Sequence, residues 1–218
     1  MNHITQYQHI IWDWNGTLLD DVDACVGVIN DMLARRNMEP LSKERYRELL
    51  GFPVVDFYRR IGFDFAQEPY EAIADEYIAG YDHCWQQCRL HTGARDVLAA
   101  IGRAGMTQSV LSAYQQKRLA KAVEFFGLGR WFIRLVGLND YYAHSKTENG
   151  IRWIEELGRP GSRVLLIGDT LHDYEVAQAM GVDCVLMSCG HNDRNRLSAC
   201  GAELLDGLNQ LLDQYLAN

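Results

Sequence analysis

Short, continuously apolar runs recur along this chain of 218 residues, with helical patterns between them. Continuous rather than alternating hydrophobicity is typical of strands that are buried on both faces, as in a parallel sheet. The predicted strands are 9–14, 107–112, 133–138, 163–169 and 184–187. The predicted helices between and after them are 94–103, 115–126, 148–156 and 174–180, with Gly102, Gly105, Gly127 and Gly181 suited to helix C-termini. This alternation predicts an α/β fold with a doubly wound parallel sheet and right-handed crossovers.

The segment between the first two strands breaks this alternation, because its roughly ninety residues are far too many for one crossover. Its predicted helices are 22–36, 43–50 after a cap at Ser42, 54–61 and 68–88. No strand pattern is evident there. We therefore predict an all-α cap over residues 20–88, inserted into a Rossmann-like core formed by residues 1–19 and 89–218. The cap is expected to stand over the carboxyl edge of the sheet.

Charge and composition exclude some classes of partner. The net charge of −8 argues against nucleic acid, whose phosphates require a basic protein face, although it permits a small phosphorylated substrate. The N-terminus lacks a signal-peptide pattern and no apolar run approaches membrane-spanning length, which predicts a cytoplasmic protein without a membrane partner. The six cysteines lack metal-ligand spacing and are expected to be reduced and mostly buried. The acidic run of Asp20, Asp21 and Asp23 is expected to form a solvated hinge.

Acidic residues follow two of the predicted strands. Asp13 ends the first strand, and Asp169 and Asp173 follow another apolar run. At the carboxyl ends of parallel strands such acids can meet in one crevice, where they need a hard cation such as Mg²⁺. Gly16 allows the backbone to turn sharply, and Thr17 offers a hydroxyl and an amide there. A carboxylate beside a bound cation can act as a nucleophile toward phosphorus.

Two further positions suit a phosphoryl group. Ser112 ends the second strand and, with the following amide of Ala113, can hold a phosphate oxygen at a helix N-terminus. Lys146 precedes the helix predicted over 148–156 and can balance the charge of the carboxylates. Taken singly, Ser112 is equally well explained as a helix cap, and an exposed lysine such as Lys146 is nearly always a solvated surface residue.

Four features of this chain resemble, in the same order, the four motifs of the haloacid dehalogenase-type phosphohydrolase superfamily. They are the run from Asp13 to Thr17, then Ser112, then Lys146, and finally the run from Gly168 to Asp173. The predicted cap is similar to that of phosphoglycolate phosphatase-like and β-phosphoglucomutase-like members. Gly51-Phe52-Pro53, followed by Arg59-Arg60, resembles their cap specificity loop. The resemblance implies a Mg²⁺-dependent phosphoric monoester hydrolase that acts on a small phosphorylated metabolite, as a monomer or homodimer.

The resemblance also implies a role for each motif residue. Asp13 would be the nucleophile and first metal ligand, with the carbonyl of residue 15 and Asp169 as further ligands. Asp173 would ligate the metal through water or orient Lys146. The residues implied to bind substrate are Gly16, Thr17, Ser112, Ala113, Lys146 and Arg59.

Asn15 departs from the superfamily pattern. Phosphatases of the superfamily carry an aspartate there, which protonates the leaving oxygen and then activates water, whereas an amide cannot transfer a proton at neutral pH. Such general acid–base help is typically worth ~10²–10⁴-fold in rate, so slow turnover of simple alkyl phosphates is expected. Four explanations remain open at this point. In the first, the substrate has a good leaving group, as in an acyl or aryl phosphate. In the second, His172 or a cap residue moves the proton. In the third, the chain is a variant of one with Asp at position 15, and in the fourth, the protein binds a phosphometabolite or another protein without catalysis. His172 itself is expected to be an ordinary surface residue of a helix.

Phosphonoacetaldehyde hydrolase offers a further alternative, because its first motif is similar and a cap lysine forms a Schiff base. The comparable position here is Glu48, and Lys43 lies at a predicted helix start. A C–P hydrolase is therefore the weaker hypothesis.

Overall fold

The computed structural model describes residues 4–139, 146–158 and 160–213. Its strands within these ranges are β1 (His9–Trp12), β2 (Leu19–Asp20), β3 (Arg89–Leu90), β4 (Thr107–Gln115), β5 (Arg134–Leu138), β6 (Val164–Gly168), β7 (Asp183–Met187) and β8 (Glu203–Leu205). Its α-helices there are α1 (Val22–Arg35), α2 (Lys43–Leu49), α3 (Val54–Arg60), α4 (Tyr70–Cys84), α5 (Ala94–Arg103), α6 (Gln116–Phe125), α7 (Thr147–Leu157), α8 (Leu171–Met180), α9 (Arg194–Ser198) and α10 (Leu208–Leu211). No helix in these ranges is both long and apolar enough to cross a membrane.

Six strands form one parallel sheet in the order β5-β4-β1-β6-β7-β8, which confirms the predicted α/β fold. The first strand lies in the middle, and the chain adds neighbours on both sides of it, as in a doubly wound sheet. Trp12 is in register with Val110 of β4 and with Ile167 of β6. Residues that follow these three positions therefore emerge at the same carboxyl edge of the sheet.

The core explains why the strands are continuously apolar. All four residues of β1 and all five of β6 are buried. Ile10 and Trp12 belong to one apolar cluster, and Ile11 belongs to another together with Trp153. Because alternate side chains of a strand point to opposite faces, the sheet is covered by apolar groups on both sides.

Helices α1 to α4, here called the cap, are inserted between β1 and β4. Strands β2 and β3 pair antiparallel at the two ends of this insertion. The sequence prediction missed both, since two-residue strands show no periodicity, and it also missed β8. The helix predicted to reach residue 88 ends at Cys84 and is followed by a 3₁₀ turn, Trp85–Gln87. The domain boundaries given above stay a prediction.

Local details bear on several smaller predictions. The Ser42 hydroxyl accepts a hydrogen bond from the Arg45 amide, as expected of an N-cap. Gly181 follows α8 in the left-handed region, as expected at a helix C-terminus, and Gly102 lies in the last turn of α5. All six cysteines are free, but Cys25 alone among them is fully buried, so most are less buried than expected.

Candidate active site

Three aspartates converge at the carboxyl edge of the sheet. Asp13 directly follows β1, while Asp169 and Asp173 belong to the turn after β6 and the first turn of α8. Their ligand oxygens all lie within 4.8 Å of one another, and all three side chains are buried. We call these residues, together with Lys146, the carboxylate cluster.

Lys146 supplies the one side-chain cation of this cluster among the described residues. It is the N-cap residue of α7, and its ammonium nitrogen donates to Asp13 Oδ1 at 2.5 Å and to the carbonyl of Leu111 at 3.0 Å. The same nitrogen lies 2.6 Å from Asp173 Oδ1, and the lysine side chain is 3% exposed. The lysine therefore joins two carboxylates that come from different strands.

The carboxylate cluster carries more negative than positive charge. Burial raises the pKa of Asp13 to about 8; Lys146 opposes this shift and Asp173 adds to it. Burial likewise raises the pKa of Asp169 to about 6, against the charge of His191. Burial alone would lower the pKa of Lys146, but Asp13 and Asp173 raise it above its ordinary value. Three acids facing one lysine create a demand for further positive charge.

The surroundings of the carboxylate cluster fit a hard cation. The donor atoms are carboxylate oxygens, which Mg²⁺ prefers. Glycines allow the main chain to approach them closely: a Cβ at Gly16 or Gly190 would collide with the Asp169 carboxylate, and one at Gly168 would collide with Asp173. Gly16 also has a φ of 75°, which disfavours any other residue.

Thr17 and Ser112 are placed differently from each other. The Thr17 hydroxyl donates to Asp169 Oδ1 at 2.7 Å and is buried, so it holds a carboxylate. The Ser112 hydroxyl accepts from the Tyr114 amide at 3.1 Å, and Ser112 and Ala113 line the cavity described below. Strand β4 continues to Gln115, so the prediction that Ser112 ends the strand is wrong.

The Asn15 amide is held by two partners. Its nitrogen donates to Asp21 Oδ2 at 2.7 Å and to the Tyr81 hydroxyl of α4 at 2.9 Å. The Tyr81 hydroxyl in turn donates to Asp21 Oδ2 at 2.6 Å, and the Gly16 amide donates to Asp21 Oδ1 at 2.9 Å. Asp21 is 1% exposed, so the expectation of a solvated residue was wrong there, although Asp20 and Asp23 are exposed.

His191 completes this network from the core side. Its Nε2 lies 3.3 Å from Asp21 Oδ1, its Nδ1 lies 2.9 Å from the Tyr46 hydroxyl, and its amide donates to Asp169 Oδ2 at 2.6 Å. Burial opposes charge on both partners, yet Asp21 raises the pKa of His191 to about 9 and His191 lowers the pKa of Asp21. We call Asn15, Asp21, Tyr46, Tyr81 and His191 the hinge cluster.

Sequence reasoning singled out Asn15, expected Asp21 to be solvated, and missed Tyr46, Tyr81 and His191. The available signal was that His191 comes shortly after β7, at the same sheet edge as Asp13. Cys25 Sγ also lies near this cluster, within 4.8 Å of ligand atoms of Asp21 and His191. The spacing in sequence between Cys25 and these two residues gave no indication that they lie close together.

A cavity of about 160 Å³ lies between the carboxylate cluster and the cap. Asp13, Asn15 and Lys146 line its core end, and aromatic and aliphatic side chains line its cap end. His172 also lines it; the ring stacks on Phe52 at 4.4 Å between centroids and is buried, so the prediction of a surface residue was wrong. Burial, together with the charge of Lys146, lowers the pKa of His172.

The basic residues singled out in the cap lie away from this cavity. Arg59 Nη1 donates to Asp56 Oδ1 at 2.5 Å on α3, and Arg60 donates to the carbonyl of Leu49. Lys43 pairs with Asp23 at 2.8 Å. None of these three basic side chains is among the described residues that line the cavity. Substrate binding by Arg59 stays a prediction that this arrangement does not support.

The chain matches the haloacid dehalogenase-like hydrolase family model over residues 10–187 and therefore belongs to that family. Curated relatives include a phosphoglycolate phosphatase of Pseudomonas fluorescens, 23% identical with 84% of this chain and 70% of the relative covered. Another, from Pseudomonas syringae pv. tomato, is 25% identical with 93% and 78% covered. An N-acetylmuramic acid 6-phosphate phosphatase of Pseudomonas aeruginosa is 25% identical with 84% and 82% covered. These matches place the chain among the phosphoric monoester hydrolases of the family.

Solved structures show the same fold. A haloacid dehalogenase-like hydrolase from Streptococcus pneumoniae superposes with a TM-score of 0.84 at 14% identity, covering 96% of this chain and 98% of the other. CbbY from Rhodobacter sphaeroides, solved in complex with phosphate, has a TM-score of 0.72 at 20% identity, covering 94% and 96%. At such identities the likeness concerns the fold alone.

Proposed function

We propose that this protein is a Mg²⁺-dependent phosphatase that hydrolyses a small phosphorylated metabolite through an aspartyl-phosphate on Asp13. The observation that carries the proposal is the buried Asp13 carboxylate beside Lys146, Asp169 and Asp173. The phosphatase relatives and the phosphate held by CbbY agree with it.

The metal would be held by Asp13, Asp169 and the main-chain carbonyl of Asn15. When bound, it supplies positive charge that lowers the repulsion between an anionic nucleophile and an anionic phosphate ester. Asp173 serves mainly to orient Lys146, because its other oxygen already accepts hydrogen bonds from Asp169 and Thr170 amides and from the Thr170 hydroxyl.

Different residues carry out the separate steps of the proposed reaction. An Asp13 oxygen attacks phosphorus in line, and the bond between phosphorus and the ester oxygen breaks. Lys146, the Ser112 hydroxyl and the amides of Thr17 and Ala113 bind the transferring oxygens. The Gly16 amide already donates to Asp21, so substrate binding by Gly16 stays a prediction that this arrangement does not support. Water subsequently attacks the same phosphorus, which releases inorganic phosphate and restores the Asp13 carboxylate. Closure of the cap over the site would limit the entry of other water.

Asn15 limits the range of substrates. Its amide is engaged with Asp21 and Tyr81 and has no proton to transfer, so the leaving oxygen departs without help from this position. We therefore propose slow turnover for esters of ordinary alcohols.

The phosphonatase alternative loses support, since Lys43 is paired with Asp23 and its side chain is 41% exposed. Cytoplasmic location, a monomeric or homodimeric state, and the absence of nucleic-acid and membrane partners remain parts of the proposal.

Asp13→Asn tests the nucleophile. With acetyl phosphate and Mg²⁺, kcat should fall at least ~10³-fold, because covalent catalysis is lost while the side-chain shape is retained. Asp20→Asn, which alters an exposed aspartate nearby, is the matched control and should retain activity. Trapping of ³²P on the wild-type protein, absent from Asp13→Asn, would report the intermediate. Equal turnover by both proteins would mean that Asp13 is not the nucleophile, and no turnover by the wild type would favour a non-catalytic binding protein.

A further inference from the structure

The cap end of the cavity is aromatic. Among its lining residues are Phe52, Phe57, Tyr58, Tyr70, Tyr77 and Tyr81. The hydroxyls of two of these tyrosines are already used, because Tyr77 donates to Cys25 Sγ at 3.1 Å and Tyr81 donates to Asp21. What the cap offers a ligand beyond the phosphoryl site is therefore chiefly ring and aliphatic surface.

The same cavity is poorly suited to a second anion. Among its described lining residues, Lys146 and His191 carry the positive charge and none is an arginine. Lys146 already faces Asp13 and Asp173, and His191 faces Asp21. The Asp21 carboxylate itself lines the cavity and would repel an anionic leaving group. A carboxylate buried in such a place without a cation is strongly disfavoured.

The size of the cavity favours a small leaving group. Its volume of about 160 Å³, which the phosphoryl group and the leaving group share, is close to that of an engineered apolar cavity of about 150 Å³ that accepts benzene. A sugar would bring several hydroxyls into a space where few polar partners remain, and each unsatisfied hydroxyl weakens binding. A flat ring instead gains contact with aromatic side chains.

Asn15 gives an independent reason for the same choice. Without a proton donor at this position, a leaving oxygen that is stable as an anion is favoured. A phenol has a pKa of about 10, far below that of an aliphatic alcohol, and so leaves readily as phenolate. The chemistry at the core end and the surface at the cap end thus favour the same kind of ester.

We infer that the substrate is an aryl phosphate monoester, with phosphate on the phenolic oxygen of a single uncharged ring that lies in the cap. This inference rests on the proposed function and specifies its substrate class. Asp13 displaces phenolate as the phosphorus–oxygen bond breaks, and phenolate then takes a proton from solvent. Water hydrolyses the aspartyl-phosphate, so the products are a phenol and inorganic phosphate.

Binding and turnover are both needed to test this, because aryl phosphates are intrinsically reactive. With Mg²⁺ present, phenylphosphonate should inhibit acetyl phosphate hydrolysis at least about tenfold more tightly than phosphonoacetate, which carries a carboxylate. The kcat/KM for phenyl phosphate should exceed that for phosphoglycolate by about 10²-fold or more. Tighter inhibition by phosphonoacetate, or a preference for phosphoglycolate, would overturn the inference while leaving the proposed function intact. If acetyl phosphate too is not hydrolysed, the proposed function fails and the inference fails with it.

A cavity-filling variant locates the ring. Ala74 on α4 lines the cavity, whereas Ala79 on the same helix is exposed. Ala74→Leu should lower kcat/KM for phenyl phosphate, relative to that for acetyl phosphate, at least about tenfold, since the larger side chain takes space from the ring. Ala79→Leu should leave this ratio at the wild-type value. Because the readout is a ratio within one protein, partial unfolding of Ala74→Leu cannot mimic it, and an unaltered ratio would contradict the placement of the ring.

Discussion

The carboxylate cluster and the hinge cluster are both buried and both contain acids, yet their charges differ. The carboxylate cluster contains three aspartates and one cation, Lys146, whereas the hinge cluster contains one aspartate paired with one histidine. In the hinge cluster, both Asp21 oxygens accept hydrogen bonds from Gly16, Asn15 and Tyr81. Excess buried negative charge is stabilised by a bound cation, whereas a balanced, hydrogen-bonded ion pair needs none. Two groups of described residues are close enough to hold a metal, namely Asp13, Asp169 and Asp173, and Asp21, Cys25 and His191. The first group, in the carboxylate cluster, is therefore the one suited to it.

The two clusters also differ in what they connect. The carboxylate cluster is built from the ends of core strands and the helices that follow them. The hinge cluster joins the core, through His191, to the cap, through Tyr46 on α2 and Tyr81 on α4. Chemistry is thus assigned to the sheet edge, and the cap is held there by the hinge cluster, whose His191 also donates its amide to Asp169.

The largest effect is expected from Lys146→Met, which breaks the carboxylate cluster. Its removal leaves Asp13 and Asp173 buried without their cation, so unfolding free energy should fall by about 3–5 kcal/mol in the absence of metal. Urea titration measures this, and Lys117→Met, at an exposed position on α6, is the control. Added Mg²⁺ should restore part of the loss. A variant as stable as the wild type would show that the three acids do not carry the excess charge described.

A smaller effect is expected from Asn15→Asp, which adds an acid to the hinge cluster. The new carboxyl group would lie about as close to Asp21 as the amide does, so the two acids would share a proton at neutral pH. That proton is available to a leaving alcohol, and kcat for ethyl phosphate should rise by about 10²-fold. Asn15→Ala, which breaks the same hydrogen bonds without supplying an acid, should show no rise. The absence of a gain in Asn15→Asp would indicate that proton transfer at this position does not limit turnover.

The smallest effect concerns pH and the balance of the hinge cluster. The pKa of His191 is raised to about 9 in the folded protein, from about 6.5 in an unfolded chain. The stabilisation that this shift represents is fully present below pH 6.5 and is lost as pH rises through 9. The difference in stability between His191→Gln and the wild type should therefore shrink as the pH rises from 6 to 10. Urea titrations with a chelator measure this, and His83→Gln, at an exposed site on α4, is the matched control. A constant difference for His191→Gln would mean that the pair is not ionic.

The sequence predicted the sheet well because burial on both faces leaves continuous apolar runs. Strands β1, β4, β5, β6 and β7 all fall on such runs. Strand β8 was missed, since three residues near the end of the chain carry too little pattern, and β2 and β3 are shorter still. Asp13, Lys146, Asp169 and Asp173 could be grouped from the sequence because each follows, at short distance, a strand of the same sheet.

Other parts of the site had no such signal. Asp21 lies in an acidic run that looks like solvated hinge, and its burial depends on contacts with Tyr81 and His191, 60 and 170 residues away. Tyr46 and Tyr81 read as ordinary residues of amphipathic helices. The side chain of His172 is buried because Phe52 of the cap stacks on it.

The sequence by itself determined the alternation of strands and helices, the helical insertion and the position of the acids, because these depend on local periodicity and on where strands end. Tertiary structure alone decided which polar residues share a cavity and what surface the cap presents to a ligand. The physical reason is that burial, charge balance and cavity shape arise from side chains that are brought together from distant parts of the chain, and local sequence does not encode such distances.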